Sequence, residues 1–214
     1  MFGQEGAKMA MPWINRVKQR GTLLVYPDSS LATGNWRSIF NQAITQFNTL
    51  SSRNHLRVTL EQSSEPPATS GDGGADVAVR AANGQISCTY DGRRDSMAFN
   101  GLQKQGYTHS FHINNRIQKT YVFLPANPQV HTSRGGRTVG PGVKLLIAVH
   151  EFVHACGLSN DDHCPNDLMH PHPDVDANLE NPALDKVRIR YDLLMPPLAL
   201  SATTAGLVRG LWTV

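Results

Sequence analysis

The chain has 214 residues, 40% hydrophobic and 17% charged, which suits one sizeable core and excludes disorder as its main state. Its net charge is +3, and apart from Arg93-Arg94 and Arg188/Arg190 its basic residues are scattered, so no nucleic-acid-binding stripe is expected. No stretch approaches the ~20 apolar residues of a membrane span.

Residues 1–20 read as a polar leader. Met9 to Ile14 is too short for a secretory signal and is broken by Pro12, so the expectation is a cytoplasmic chain or one exported by a non-classical route. Thr22 to Tyr26 is a β-rich run closed by Pro27-Asp28-Ser29-Ser30. From Asn35 to Leu50 the apolar residues Trp36, Ile39, Phe40, Ala43, Ile44 and Phe47 recur at helical spacing, which predicts a core helix. Leu56 to Leu60 alternates as a half-buried strand does. Ser63 to Gly74 is rich in Ser, Pro and Gly and reads as a loop, followed by a strand at Ala75 to Val79. The Gly- and Asn-punctuated stretch 81–106 holds a short strand candidate at Ile86 to Tyr90. Thr108 to Ile113 and Lys119 to Leu124 form two β-like runs joined by Asn114-Asn115, a hairpin signal. After a turn-rich connection, Pro141 and Gly142 introduce an apolar helix from Val143 to Cys156 that stops at Gly157. Strands gathered before one central helix predict an α/β (α+β) fold with a mixed sheet and helices packed on it.

The central helix carries His150-Glu151-Phe152-Val153-His154. Positions i and i+4 stand on one helical face, so both imidazoles can reach a single ion, and neutral imidazole suits zinc. Glu151 lies about 100° round the helix from His150, where a carboxylate can border the metal and act as general base on a water. Leu145, Leu146, Ile147, Val149 and Val153 make the helix strongly apolar. Polar groups buried there need partners, and a bound metal supplies one.

His150-Glu-Phe-Val-His154-Ala-Cys-Gly157-Leu158, followed by a ligand-rich loop and Asp167-Leu-Met169-His-Pro171, resembles the metzincin zinc metallopeptidases, closest to the matrix-metalloproteinase (matrixin) branch. The resemblance is specific over residues 143–171 and extends as pattern over about 22–194. It implies a zinc endopeptidase with Glu151 as catalytic base. It also implies a five-stranded mixed sheet with a backing helix, the 143–156 helix as cleft floor, and Met169 in a tight turn beneath the metal. Thr108 to Ile113 would be the cleft-edge strand. The implied organisation is one metallopeptidase domain at 21–195, with subdomains 21–157 and 158–195, and a tail at 196–214.

The position at which the family carries its third ligand is here Asn160, a poor zinc donor. The neighbouring donors are His163, which is favoured because it completes an all-histidine site, and Asp161 and Asp162 as alternatives. Cys156 and Cys164 either form a disulfide across this loop or are free thiols. No cysteine precedes Cys88, so a thiol switch of the latent-matrixin kind is not expected. His170 and His172 are secondary candidates for the metal or the oxyanion. His109, His112 and His131 read as strand and loop residues, and Tyr191 as part of a C-terminal helix at 182–195. Asp72 is a candidate calcium ligand of the matrixin kind. A protein or peptide substrate and a monomer are expected. Two rival readings are a thermolysin-like peptidase with Glu180 as third ligand, and a zinc-stabilised binding module without catalysis.

Overall fold

The computed structural model describes residues 10–32, 36–103, 105–132, 135–159, 162, 168–169 and 198–214. Its elements in chain order are α1 (Asn15–Arg20), β1 (Thr22–Pro27), a single 3-10 turn (Ser29–Leu31) and α2 (Trp36–Asn54). There follow β2 (Thr59–Gln62), β3 (Val77–Ala82), the hairpin β4 (Gly84–Tyr90) and β5 (Arg93–Phe99), β6 (Tyr107–Ile113) and β7 (Arg116–Pro125). A second hairpin, β8 (Gln129–Thr132) and β9 (Gly135–Thr138), leads into α3 (Pro141–Ala155), and α4 (Ala202–Leu211) lies near the C-terminus.

Five strands form a mixed sheet in the order β2-β1-β3-β7-β6. The pairs β1·β2, β1·β3 and β3·β7 are parallel, and β6 runs antiparallel to β7 at the edge. Its alternating side chains sort into two cores. Val77, Val79, Val122 and Leu124 face the main core, built with α2 and α3. Ala78, Tyr121 and Phe123 face a smaller core with Ile86, Cys88, Tyr90 and Phe99 of the β4-β5 hairpin. That is the period-two logic of a strand buried on both sides. On the helical side Phe152 of α3 meets Phe40 and Phe47 of α2 edge-on, with ring centroids 6.2 and 6.5 Å apart.

The β6-β7 hairpin turns at Asn114-Asn115, both at positive φ (52° and 57°), the backbone a two-residue turn between twisted strands requires. The 71–76 segment is tied down by charge. The fully buried Lys119 ammonium donates to the carbonyls of Gly73 (2.7 Å) and Ala75 (2.9 Å). Asp76 accepts from the Leu24 amide at 2.8 Å and is paired with Arg20.

Residues 10–20, read from the sequence as leader, are built into the domain. Trp13 and Val17 are fully buried in the main core, and the Trp13 stretch bridges to Ile117 through Ile14 N–H to Ile117 O (3.2 Å) and Ile117 N–H to Pro12 O (2.9 Å). The reason is compositional: Trp13 and Val17, with Met11 and Ile14 packed beside them, dock a short helix on the core. In the tail, Ser201 caps α4 by accepting from the Thr204 amide, and Thr204, Ala205, Val208 and Trp212 are buried. The tail therefore packs on the body. No described helix is long and apolar enough to cross a membrane.

Candidate metal centre

Helix α3 begins at Pro141 in its first turn, where a missing amide hydrogen costs nothing. Every residue from Gly142 to Ala155 is buried except Leu146 and His150, which are half-buried. A helix apolar all round lies inside a core. His150 is the polar residue left open to solvent on one side, and His154 lies a turn deeper.

The two imidazoles converge. Nε2 of His150 and Nε2 of His154 lie 3.0 Å apart, with the rings edge to face at 4.7 Å. In a tetrahedral zinc site, two nitrogens each ~2.0–2.1 Å from the ion are roughly 3.3 Å from one another. The pair thus fits one divalent ion with only a slight parting of the rings. The other nitrogen of His150, Nδ1, lies 3.0 Å from the Leu168 carbonyl. That contact sets Nδ1 as the donor and leaves the Nε2 lone pair for a ligand, which is how metal-binding histidines are oriented.

Glu151 is buried. The Thr108 hydroxyl on β6 donates to its Oε2 at 2.7 Å and lies 3.3 Å from its backbone carbonyl. Burial pushes the carboxyl up to about 8 in the metal-free chain, and the Thr108 hydrogen bond pulls it partly back. Gly106, just before β6, lies against the same side chain: a Cβ there would sit 2.6 Å from Glu151 Cγ and 2.8 Å from Cδ and Oε1.

The end of α3 is clamped from both ends of the chain. The Trp13 indole donates to the Ala155 carbonyl (2.8 Å) and the Trp212 indole to the Cys156 carbonyl (2.9 Å). These are two of the carbonyls that a helix terminus leaves without an intrahelical donor. Gly157 has φ 114°, and a Cβ on it would meet the Met11 carbonyl oxygen at 2.2 Å, so the turn needs glycine on two counts. Met11 N–H in turn donates to the Gly157 carbonyl at 2.8 Å.

Of the residues singled out in the sequence, His150 and His154 converge, and Glu151 lies on the same helix with its carboxyl against Thr108 and Gly106. Met169 is buried in the main core directly after Leu168, whose carbonyl orients His150. Asp162 is turned back onto its own loop, where its Oδ2 accepts from the Ser159 amide at 2.8 Å. His163, Asp161, Asn160, Cys164, His170, His172, Glu180 and Tyr191 lie outside the described residues. Among the described residues no group of three or more His, Cys, Asp or Glu is poised around one ion; the pair would supply two ligands. Cys156 carries a free buried thiol that donates to the Phe152 carbonyl at 3.3 Å, and burial pushes it far up. Asp72 lies 3.4 Å from Arg16 Nε. His109 and His112 are on β6 and His131 on β8; His109 Nε2 lies 2.9 Å from Asp95 of β5.

Sequence reasoning did not single out Thr108, Gly106, Leu168, Trp13 or Trp212. Four of them act on α3 from elements remote in sequence, which no local pattern reports. The two tryptophans, each set in a short apolar stretch, were the one available signal. No family model matches the chain, and no curated protein matches it.

Proposed function

We propose that this chain is a zinc-dependent endopeptidase of the metzincin type. One observation carries the reading: two imidazole Nε2 atoms converge at 3.0 Å on α3, one of them fixed from behind by a backbone carbonyl, with a buried carboxyl on the residue between. The sheet supports it, because β6 ends the sheet as an antiparallel edge strand and lies against Glu151, where an extended peptide could add by main-chain hydrogen bonds.

In this reading His150 and His154 hold the ion through Nε2, and His163 is the expected third ligand. Zinc would supply Lewis-acid polarisation of a scissile carbonyl and of a water. The chain's own residues do the rest. Leu168 holds the His150 ring by Nδ1. Glu151 takes a proton from the attacking water and returns it to the departing amine. Burial of Glu151 beneath Thr108 and Gly106 keeps bulk water from the carboxyl.

The test is metal content and hydrolysis measured together. Purified protein should carry about one zinc per chain and cleave casein or a mixed peptide library, with cleavage lost to chelator and restored by zinc. Glu151→Gln should keep the zinc and lose at least ~100-fold in kcat, as general-base removal does. His150→Ala and His154→Ala should lose the zinc. Cleavage indifferent to chelator, or Glu151→Gln as active as the parent, defeats the proposal.

A further inference from the structure

Nothing in the motif explains what holds Glu151 still. The carboxyl projects from an α-helix into the space under an edge strand, and it meets that strand at two places. From Thr108 it receives a 2.7 Å hydrogen bond at Oε2. At Gly106, two residues earlier, its Oε1 occupies the very space that any side chain would fill, 2.8 Å from the position of a Cβ. One oxygen is tethered and the other is accommodated by a missing side chain. Thr108 also spans to the Glu151 backbone carbonyl at 3.3 Å, so strand and helix are held together at this residue.

We infer that Thr108 is a positioning residue for Glu151, and that Gly106 is required beside it because the carboxylate lies where a side chain would be. The inference rests on the proposed peptidase activity and assigns to it two residues outside the His-Glu-His motif. With Oε2 engaged by the hydroxyl, Oε1 is the oxygen left to accept a proton from water. Removing the hydroxyl frees the side chain to rotate; adding a methyl at 106 pushes it aside. Neither change touches His150 or His154, so metal binding should persist. A base displaced by about 1 Å costs on the order of 10²-fold in rate.

The experiment compares Thr108→Val, Thr108→Ser and Gly106→Ala with the parent, each as the full zinc-loaded chain. Thr108→Val should lower kcat by about 10–100-fold with KM within threefold and zinc content unchanged. Thr108→Ser, which keeps the hydroxyl, should return kcat to within threefold of the parent, and Gly106→Ala should fall at least as far as Thr108→Val. A second arm needs no activity: thermal melts of metal-free Thr108→Val, Glu151→Ala and the double variant, whose Tm shifts should not add if the two side chains are coupled. Thr108→Val with parental kcat, or Tm shifts that add, overturns the inference. A parent that never hydrolyses peptide defeats the proposed function instead, and the melts still report whether Thr108 holds Glu151.

Discussion

At the scale of single residues, the end of α3 shows how the chain makes a motif into a site. The pair His150 and His154 is useful only if the helix that carries them is fixed, and its last carbonyls are satisfied by indoles from residues 13 and 212. Replacing Trp212 by Phe keeps an aromatic ring but removes the indole N–H and part of the buried volume, leaving the buried Cys156 carbonyl without its donor. An unsatisfied buried acceptor costs about 1–3 kcal/mol. Trp212→Phe should therefore lower stability by at least about 1 kcal/mol in urea denaturation with an unchanged slope. An unaffected midpoint would mean that the carbonyl finds water or another donor. The same scale marks the limit of what the sequence discloses. The spacing of His150, Glu151 and His154 is visible in the text of the chain because i and i+4 share a face. The Leu168 carbonyl behind His150 is a backbone group, and no residue type announces it.

At the scale of elements, legibility followed how far one local pattern decides the outcome. Helix α2 was readable because its buried residues Trp36, Ile39, Phe40, Ala43 and Phe47 recur at helical spacing, although it runs on to Asn54. The β6-β7 hairpin was readable because Asn114 and Asn115 can take positive φ between two β-rich runs. Strand β5 was not. Its inward positions are Asp95, Met97 and Phe99, and the polar residue among them, engaged by His109, breaks the alternation that would have revealed it. The β8-β9 hairpin is four residues a side and rich in glycine, too short to outweigh its turn-like composition. The composition of the stretch before β3 marks only a loop, and so it hides its anchor. Lys119 is fully buried and holds the Gly73 and Ala75 carbonyls. Burial draws its amine below the usual lysine range, with Asp76 nearby pulling it back. Lys119→Met preserves length and apolar stem but leaves the buried Ala75 carbonyl unpaired, and at about 1–3 kcal/mol for such an acceptor the loss should be about 1 kcal/mol or more. Equilibrium unfolding measures it, and a loss under about 0.5 kcal/mol, the range of ordinary surface changes, would show that the loop is held by other means.

At the scale of the whole molecule, the two ends of the described chain meet at the site's foundation. Met11 pairs with Gly157, Trp13 caps Ala155, Trp212 caps Cys156, and the Thr213 carbonyl accepts from Lys18. The tail reaches the histidines by one more path: the Leu168 amide donates to the Ala199 carbonyl at 2.8 Å, and the Leu168 carbonyl faces His150 Nδ1. A segment that the sequence marks only as a tail is thus joined to His150 through a single residue. Its removal can be weighed. Ala205, Val208 and Trp212 are almost wholly buried, and full burial of a Val-sized or larger apolar side chain is worth about 1.5–3 kcal/mol. The two large residues and the lost indole hydrogen bond together give roughly 4–8 kcal/mol, against a total stability of about 5–15 kcal/mol for a domain. A chain ending at residue 197 should therefore lose most of its cooperative thermal transition and become open to limited proteolysis at α3. Trp212→Phe, which gives up the hydrogen bond and only part of the buried ring, should fall by a few degrees at about 2–4 °C per kcal/mol for a chain of this size. If the shortened chain melts within that same few degrees of the full one, α4 is an ornament on a domain that stands without it, and the clamp on α3 belongs to Trp13 alone.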